Sequence, residues 1–577
     1  MTFFQQPPEL TNTYRSDTVL REHLERLLPA ELLAEVTPEL DAMGEAAAGE
    51  LARLAALAEA APPKLVPFDP WGRRVDRIEV SPAWDELVAA QQRAGLVTVA
   101  YDGRHGAHGR VVQHALLHLY GPSSAVATCP LAMTDAAVRV LLDHATAELR
   151  DRVVPLLTSR DPERAWSCGQ WMTEREGGSD VGRTATVARC DERGRWRLHG
   201  TKWFTSATTA DCALALARPE GAAAGSRGLG LFLVETVDPE NGRSQLGETI
   251  LVNRLKDKLG TRAMPTAELR LDGAAATPVG GVEAGLKKIT GMLNVTRVHN
   301  GISAAAGMRR GVELAAGYAR LRHAFGRRLE DLPLHRETLA DLAVEAEAAF
   351  ALVARTAELL GLAEQGGAGE REQRALRALV PVVKLLTAKD AVAHASEVVE
   401  SFGGAGYIED TGIPRLLRDA QVLPIWEGTT NVLSLDLARA ERTGQAVGAL
   451  LEDLEALLRP LLGSIGGAGR AAGLDRAGEL VGRSLEALAK ELRAFGEADE
   501  AAVEAHLRRF ALRLGRTAGG ALLVAHAAHR IARHGDQRAA RVAARYAERW
   551  LGAPPAPLPN PEQLAWTGEL LATVIPP

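Results

Sequence analysis

The sequence predicts a mainly α-helical protein with a small β domain at its centre and an extra helical domain at its C-terminus. Three observations predict this. Alanine is abundant and aromatic residues make up 4% of the 577, a balance that favours helix. Apolar residues recur at helical spacing before about residue 165 and again after about 285. Between those positions the texture changes to short apolar runs bounded by glycine and proline, which read as strands and turns.

In order, residues 1–40 read as an N-terminal extension, with a proline-rich start and a short helix from Ser16 to Leu28. Residues 41–165 read as a helical domain. Leu51, Leu54, Leu57 and Ala58 share a helical face, and Pro62-Pro63 stops that helix. A second helix is expected over Thr134–Leu142. Residues 166–285 read as the β domain, with Trp196–Gly200 ending in a turn, then strands at 213–217, 229–234 and 268–273. Helices are expected at 286–320, 336–365, 370–402 and 429–441, which makes 286–440 a second helical domain. A last helical domain, 441–577, contains a glycine-rich loop at 463–469 and a proline-rich tail from Pro554.

Bulk properties narrow the function. The chain is 46% apolar and 24% charged, as soluble globular proteins are. It shows no signal peptide and no run of about 18 apolar residues, so a cytoplasmic protein without a membrane span is expected. Cys129, Cys168, Cys190 and Cys212 lack metal-ligand spacing, so no metal site is expected, and they read as reduced, buried small residues.

Five short segments carry candidate chemistry. Pro424-Ile425-Trp426-Glu427-Gly428-Thr429-Thr430-Asn431 sets a carboxylate between an aromatic residue and a glycine. Apolar walls raise a carboxylate's basicity, as a base for a weakly acidic C–H requires; the alternative is a helix cap. Met172-Thr173-Glu174-Arg175-Glu176-Gly177-Gly178-Ser179-Asp180 can wrap a polar ring edge or a phosphate, or be an ordinary loop. Gly200-Thr201-Lys202-Trp203-Phe204-Thr205-Ser206 offers a stacking surface and hydroxyls, or a strand that buries its aromatics. Arg322, in a segment running to Phe325 and Gly326, can hold a pyrophosphate or be solvated. Phe402-Gly403-Gly404-Ala405-Gly406 can face a phosphate with its amides or end a helix; it lacks the dinucleotide fingerprint.

Taken together, in this order and in an α–β–α layout, the five segments resemble the acyl-CoA dehydrogenase flavoproteins from about 130 to 440. Flanking segments are similar to the AidB branch. These are Phe4–Pro7 with Thr11-Asn12, Phe68–Arg74, Ser81–Trp84, Cys129–Thr134, Arg254–Gly260 and Ile425-Trp426-Glu427. The resemblance implies FAD bound between the β domain and a helical bundle, in a homotetramer. Met172, Thr173, Gly178, Ser179, Trp203, Phe204 and Thr205 would contact FAD, with Trp426, Thr429 and Asn431 beside the base. Arg322, Phe325, Gly403 and Gly404 would reach the FAD of a neighbouring subunit. Glu427 would take the α-proton of an acyl-CoA while the β-hydrogen leaves as hydride to the flavin. An electron-transfer flavoprotein or oxygen would then accept the electrons. Two departures stand out. Ala324 replaces a threonine common in the family, which removes one hydroxyl contact. Trp426 replaces a tyrosine, and its bulk is expected to narrow the acyl pocket, toward a branched or short acyl group. Thr296 stands where some members carry the base, which leaves Glu427 without a rival.

The AidB likeness also implies an alternative, a DNA-binding flavoprotein of the alkylation response with weak dehydrogenase activity. Between Glu504 and Trp550 ten arginines face three acids, in a chain of net charge −6. Arg508, Arg509, Arg513, Arg516, Arg530 and Arg533 are the candidate contacts to double-stranded DNA, through its backbone. A solvated helix pair whose arginines meet acids on a neighbouring subunit is the other reading.

Overall fold

The computed structural model describes residues 5–462, 469–470, 472–554, 557–560 and 563. Four helices open the chain: α1 (Thr13–Ser16), α2 (Thr18–Leu27), α3 (Ala30–Ala48) and α4 (Glu50–Ala60). A hairpin of β1 (Lys64–Phe68) and β2 (Arg74–Glu79) follows, then α5 (Pro82–Arg93), α6 (Gly109–Tyr120), α7 (Thr128–His144) and α8 (Ala147–Leu157). The β domain holds β3 (Cys168–Trp171), β4 (Val187–Cys190), β5 (Trp196–Ser206), β6 (Cys212–Pro219), β7 (Gly230–Glu235), β8 (Ile250–Leu255) and β9 (Thr266–Pro278). The second helical part holds α9 (Gly285–Leu321), the small hairpin β10 (His323–Ala324) and β11 (Arg327–Arg328), α10 (Pro333–Glu364), α11 (Glu370–Ser401), α12 (Ile413–Ala420) and α13 (Thr430–Gly444). Helices α14 (Ala446–Leu462), α15 (Leu474–Ala494), α16 (Glu500–His534) and α17 (Arg538–Leu551) complete it. None of the described helices is long and apolar enough to cross a membrane.

In the β domain, β6–β4–β5–β9–β7 pair in sequence, and β6 also pairs with β7, so these strands close on themselves. Closure leaves an interior filled by Phe232, Val234, Ile250 and Leu269. The outer face packs Leu214, Leu231 and Leu233 against α7, α8 and the start of α9. The helices form a separate continuous core that includes Leu20, Leu24, Leu385 and Leu514. It therefore joins the first and last parts of the chain.

Two buried ionic clusters tie the helices together. Arg110 and Asp135 meet at 2.7 Å, with side chains 1% and 0% exposed. Glu364 and His299 complete the cluster at 2.7 Å each. Asp17 contacts His118 at 3.1 Å and Arg309 at 3.2 Å. Burial pushes the Asp17 carboxyl up, but His118 and Arg309 outweigh it and hold it at about 2. Because this folded value lies below the unfolded one of about 3.9, the stabilisation is complete above pH 4 and is lost as pH falls toward 2. Urea midpoints measured across that window should fall less in Asp17→Asn than in the parent. Equal falls would remove Asp17 as a cause.

Several expectations change. The region before 165 is not uniformly helical, since β1 and β2 pair antiparallel from Lys64↔Glu79 to Phe68↔Arg74. Asp76 accepts from Val252 N at 2.8 Å and so docks this hairpin on β8. Strands that short and that charged carry little apolar pattern; the turn Asp69-Pro70-Trp71-Gly72 was the available signal. Gly200 does not end a strand. β5 runs through it, and a Cβ there would lie 2.4 Å from Thr186 Oγ1, so the glycine permits close strand approach. The expected N-terminal extension packs into the body, with Leu20 and Leu24 buried and α3 running past residue 40. Cys190 is exposed rather than buried. The loop at 463–469, apart from Gly469, lies outside the described residues, as do Phe4, Pro555 and Pro561.

Candidate active site

Glu427 sits in a short connection between α12 and α13, with φ +59. The next residue, Gly428, has φ +106, where any side chain would be strained. Two cations hold the carbonyls of this turn. Arg297 Nε of α9 donates to the Glu427 carbonyl at 3.3 Å, and Lys384 Nζ of α11 donates to the Gly428 carbonyl at 2.5 Å. Asp436 of α13 anchors Arg297 at 2.8 Å and Arg377 at 2.6 Å. Thr429 then caps α13 by accepting from Val432 N. The segment is thus both a helix start and a held, strained turn.

The Glu427 side chain turns inward. Glu427 Oε2 is buried without a hydrogen-bond partner. Burial pushes the Glu427 carboxyl up, opposed by Arg297, Thr296, Lys384 and Gln170. Burial likewise pushes Lys384 down to about 7, although Glu427 pulls it back. Gln170 Oε1, Trp171 Nε1 and Asn294 Oδ1 are also buried and unpartnered. Buried polar atoms without a protein partner can be completed by water or by a ligand's own polar groups. The Glu427 N–H likewise makes no hydrogen bond among the described residues. Donors, acceptors and an ionisable base thus converge at the seam of β3, α9 and α11, a set that fits a polar cofactor.

Structure brings two of the expected segments together. Glu174 accepts from Lys202 Nζ at 2.7 Å and from Ala185 and Thr186 amides, which folds the 172–180 loop onto β5. The β5–β9 register breaks between Lys202 and Thr205, and this bulge frees Trp203 and Phe204 from the ladder. Trp203 N instead donates to the Thr173 carbonyl at 2.9 Å. Lys256 Nζ lies 3.6 Å from the Trp203 ring centroid and 4.6 Å from that of Phe204, which is 54% exposed. Met172 is buried, while Gly178 and Ser179 are exposed on the loop. Thr205 departs from expectation, because its hydroxyl donates to the Ala267 carbonyl at 2.7 Å, inside the strand pairing.

Other expected residues lie apart from Glu427. Arg322 is exposed, and Phe325 is 93% exposed at the tip of the β10–β11 hairpin. Gly403 and Gly404 are exposed, with open space where a Cβ would stand. Asn431 Oδ1 accepts from Arg508 at 2.8 Å, so a residue expected on the cofactor meets one expected on DNA.

The expected basic face does not form as counted. Arg516 pairs with Asp390 at 2.6 Å and stacks on Trp550. Arg530 pairs with Glu22 and Glu25, and Arg533 with Glu25. Arg538, Arg545 and Arg549 reach Glu347, Asp341 and Glu345. Arg513 donates to Ser484 Oγ. Arg509 is exposed and, among the described residues, has no partner. The local count missed acids supplied by α2, α10 and α11.

Sequence reasoning also missed Lys384 and Gln170. Lys384 had a readable signal: it is the lone charge in the apolar run Leu379–Leu386. Gln170 had none.

Beside the base lies a mostly apolar cavity of about 1270 Å³, counting its open mouth. Trp426 forms part of its wall, with Cys129, Ser206 and Asn300, and the space continues past the indole; Glu427 itself does not line it.

Comparison with known proteins agrees with this architecture. Residues 5–163 match the Adaptive response protein AidB N-terminal domain, 169–274 the Acyl-CoA dehydrogenase middle domain, and 283–441 the Acyl-CoA dehydrogenase C-terminal domain. Residues 454–554 match the Acyl-CoA dehydrogenase 11 C-terminal domain-like family. Acyl-CoA dehydrogenase family member 11 of Caenorhabditis elegans is 41% identical over 541 residues, 91% of this chain and 86% of that protein. The putative acyl-CoA dehydrogenase AidB of Escherichia coli K12 is 34% identical, over 78% of this chain and 82% of its own. The crystal structure of C. elegans ACDH-11 in complex with C11-CoA superposes with a TM-score of 0.93 at 38% identity, covering 100% and 97% of the two chains. The Bd2924 apo-form superposes with 0.83 at 47% identity, covering 91% and 100%. This chain belongs to the acyl-CoA dehydrogenase family, in the branch that carries the AidB N-terminal domain.

Proposed function

We propose that the protein is an FAD-dependent acyl-CoA dehydrogenase in which Glu427 removes the α-proton of an acyl thioester. The observation that carries this is the Glu427 carboxyl, one oxygen of which is buried without a hydrogen-bond partner, made more basic by burial and set between Arg297 and Lys384. FAD, when bound, would supply the hydride acceptor for the β-hydrogen. Met172, Thr173, Gly178, Ser179, Trp203 and Phe204 would hold it from the β domain, and Trp426 and Thr429 from the α13 side. Arg322, Phe325, Gly403 and Gly404 stand exposed where a second copy would cover them, in keeping with a homotetramer. The free Glu427 N–H suits the thioester oxygen, on which negative charge grows as the α-proton leaves. Anaerobic bleaching of the flavin by a panel of acyl-CoA thioesters tests the reading, and silence across the panel would refute it. Hydrogen peroxide release separates oxygen from an electron-transfer flavoprotein as acceptor. Acids engage Arg516, Arg530 and Arg533, which leaves the DNA-binding alternative resting on Arg508, Arg509 and Arg513.

Lys384 is a positioning residue in this scheme. It holds the Gly428 carbonyl, and its charge favours the ionised form of Glu427. Lys384→Met should lower turnover and move the acid limb of the pH–rate profile to higher pH, because Glu427 then ionises later. Lys384→Arg should restore the limb. A uniform fall in rate with an unmoved limb would leave Lys384 only a structural role.

A further inference from the structure

The geometry points to a straight acyl chain of roughly twelve to fourteen carbons, lying along α9 on a path that Gly307 keeps open and that ends at Gly311. This rests on the dehydrogenase reading and adds a substrate class to it, against the short or branched acyl group that Trp426 suggested from sequence.

Arg297 places the base near the start of the relevant stretch of α9. The cavity wall then follows that helix through His299, Asn300, Ser303, Ala304, Gly307 and Gly311. At roughly 1.5 Å per residue, His299 to Gly311 spans about 18 Å. An extended chain advances about 1.3 Å per bond, a third of the spacing between consecutive Cα atoms, so about fourteen bonds fit. Small residues keep the path open, Ala391 and Ala395 facing it from α11. At its far end Val398 and His394 crowd Gly311, where a Cβ would lie 2.9 Å from Val398 Cγ2.

The polar groups in the wall are mostly turned to protein partners. His299 is bonded to Asp135, Arg310 to Ser123, His394 to the Leu342 carbonyl and Asp419 to Thr261 N. These four are therefore satisfied without a polar substrate tail; Asn300 Oδ1, at the head of the path, is the buried exception, and the rest of the path suits methylenes. Ala125 and Val126, also in the wall, have φ +47 and +66. A β-branched residue in that region is strained, and such strain persists where the surrounding structure requires a particular shape.

Gly307 differs from Gly311. A Cβ at 307 meets nothing within 4 Å, so a larger side chain there enters the path without a clash. Glycine is also the weaker helix former, so Gly307→Leu should fold. Leucine at this position would stop the path after about 12 Å, roughly nine bonds, and exclude four or five carbons. Each methylene kept from burial costs about fourfold in affinity.

The experiment uses FAD-loaded enzyme with straight-chain acyl-CoA thioesters from about four to sixteen carbons, scoring flavin bleaching and, by calorimetry, binding. The parent should improve with length to about twelve to fourteen carbons. Gly307→Leu should lose about 10²–10³-fold with the long thioesters and keep the short ones, and Gly307→Ala should lie between. A parent optimum at four to six carbons overturns the proposal, as does a leucine variant that treats all lengths alike. If no thioester bleaches the flavin, the dehydrogenase reading falls, while length-dependent binding still decides the fate of the channel.

Discussion

Glu427→Gln should retain FAD and lose turnover by about 10²–10⁴-fold, the range expected when a general base is removed. Glutamine keeps the size of the side chain, so the turn held by Arg297 and Lys384 should persist. It also removes a carboxylate that burial penalises, so thermal stability should hold or rise. Flavin absorbance reports cofactor retention, and anaerobic single-turnover reduction by an acyl-CoA reports chemistry. A variant that reduces its flavin at the parental rate would remove Glu427 from the mechanism.

The second large effect is structural. Asp135→Ala leaves the Arg110 guanidinium and His299 facing a space with no anion from residue 135, at a site sealed from water. Removing one member of a buried pair costs about 3–5 kcal/mol, because the remaining charge stays desolvated. Glu364 remains on Arg110 and sets the lower end of that range. Chemical denaturation should show the loss as a lower midpoint. A change below about 1 kcal/mol would mean that water or Glu364 replaces Asp135. His299 also lines the acyl cavity, so the same variant should weaken long-chain binding.

Much of this architecture was legible in the chain. The helices α9, α10, α11 and α13 fall within a few residues of their expected spans, because their apolar positions recur at helical spacing over long stretches. The order of the motifs along the chain is enough to point to the family. What stayed hidden depends on partners distant in sequence. The arginines of α16 and α17 looked like an open basic surface because the acids that meet them lie on α2, α10 and α11. Thr205 and Trp203 looked equally suited to a cofactor, and only the β-bulge separates the one turned into the strands from the one freed of them. Trp426 looked like an obstruction, whereas the wall it belongs to extends along α9 beyond it.

The pairing of α2 with α16 has a consequence for how the chain is made. Glu25 meets His534, 509 positions later, and Leu20 and Leu24 share a core with residues of α16. At about 5–20 residues per second, the ribosome needs roughly half a minute or more between those segments. During that interval α2 exposes an apolar face and two acids whose arginine partners do not yet exist. The N-terminal helices are therefore a natural client for a holding chaperone, and completion of the native body is a post-translational event with high contact order.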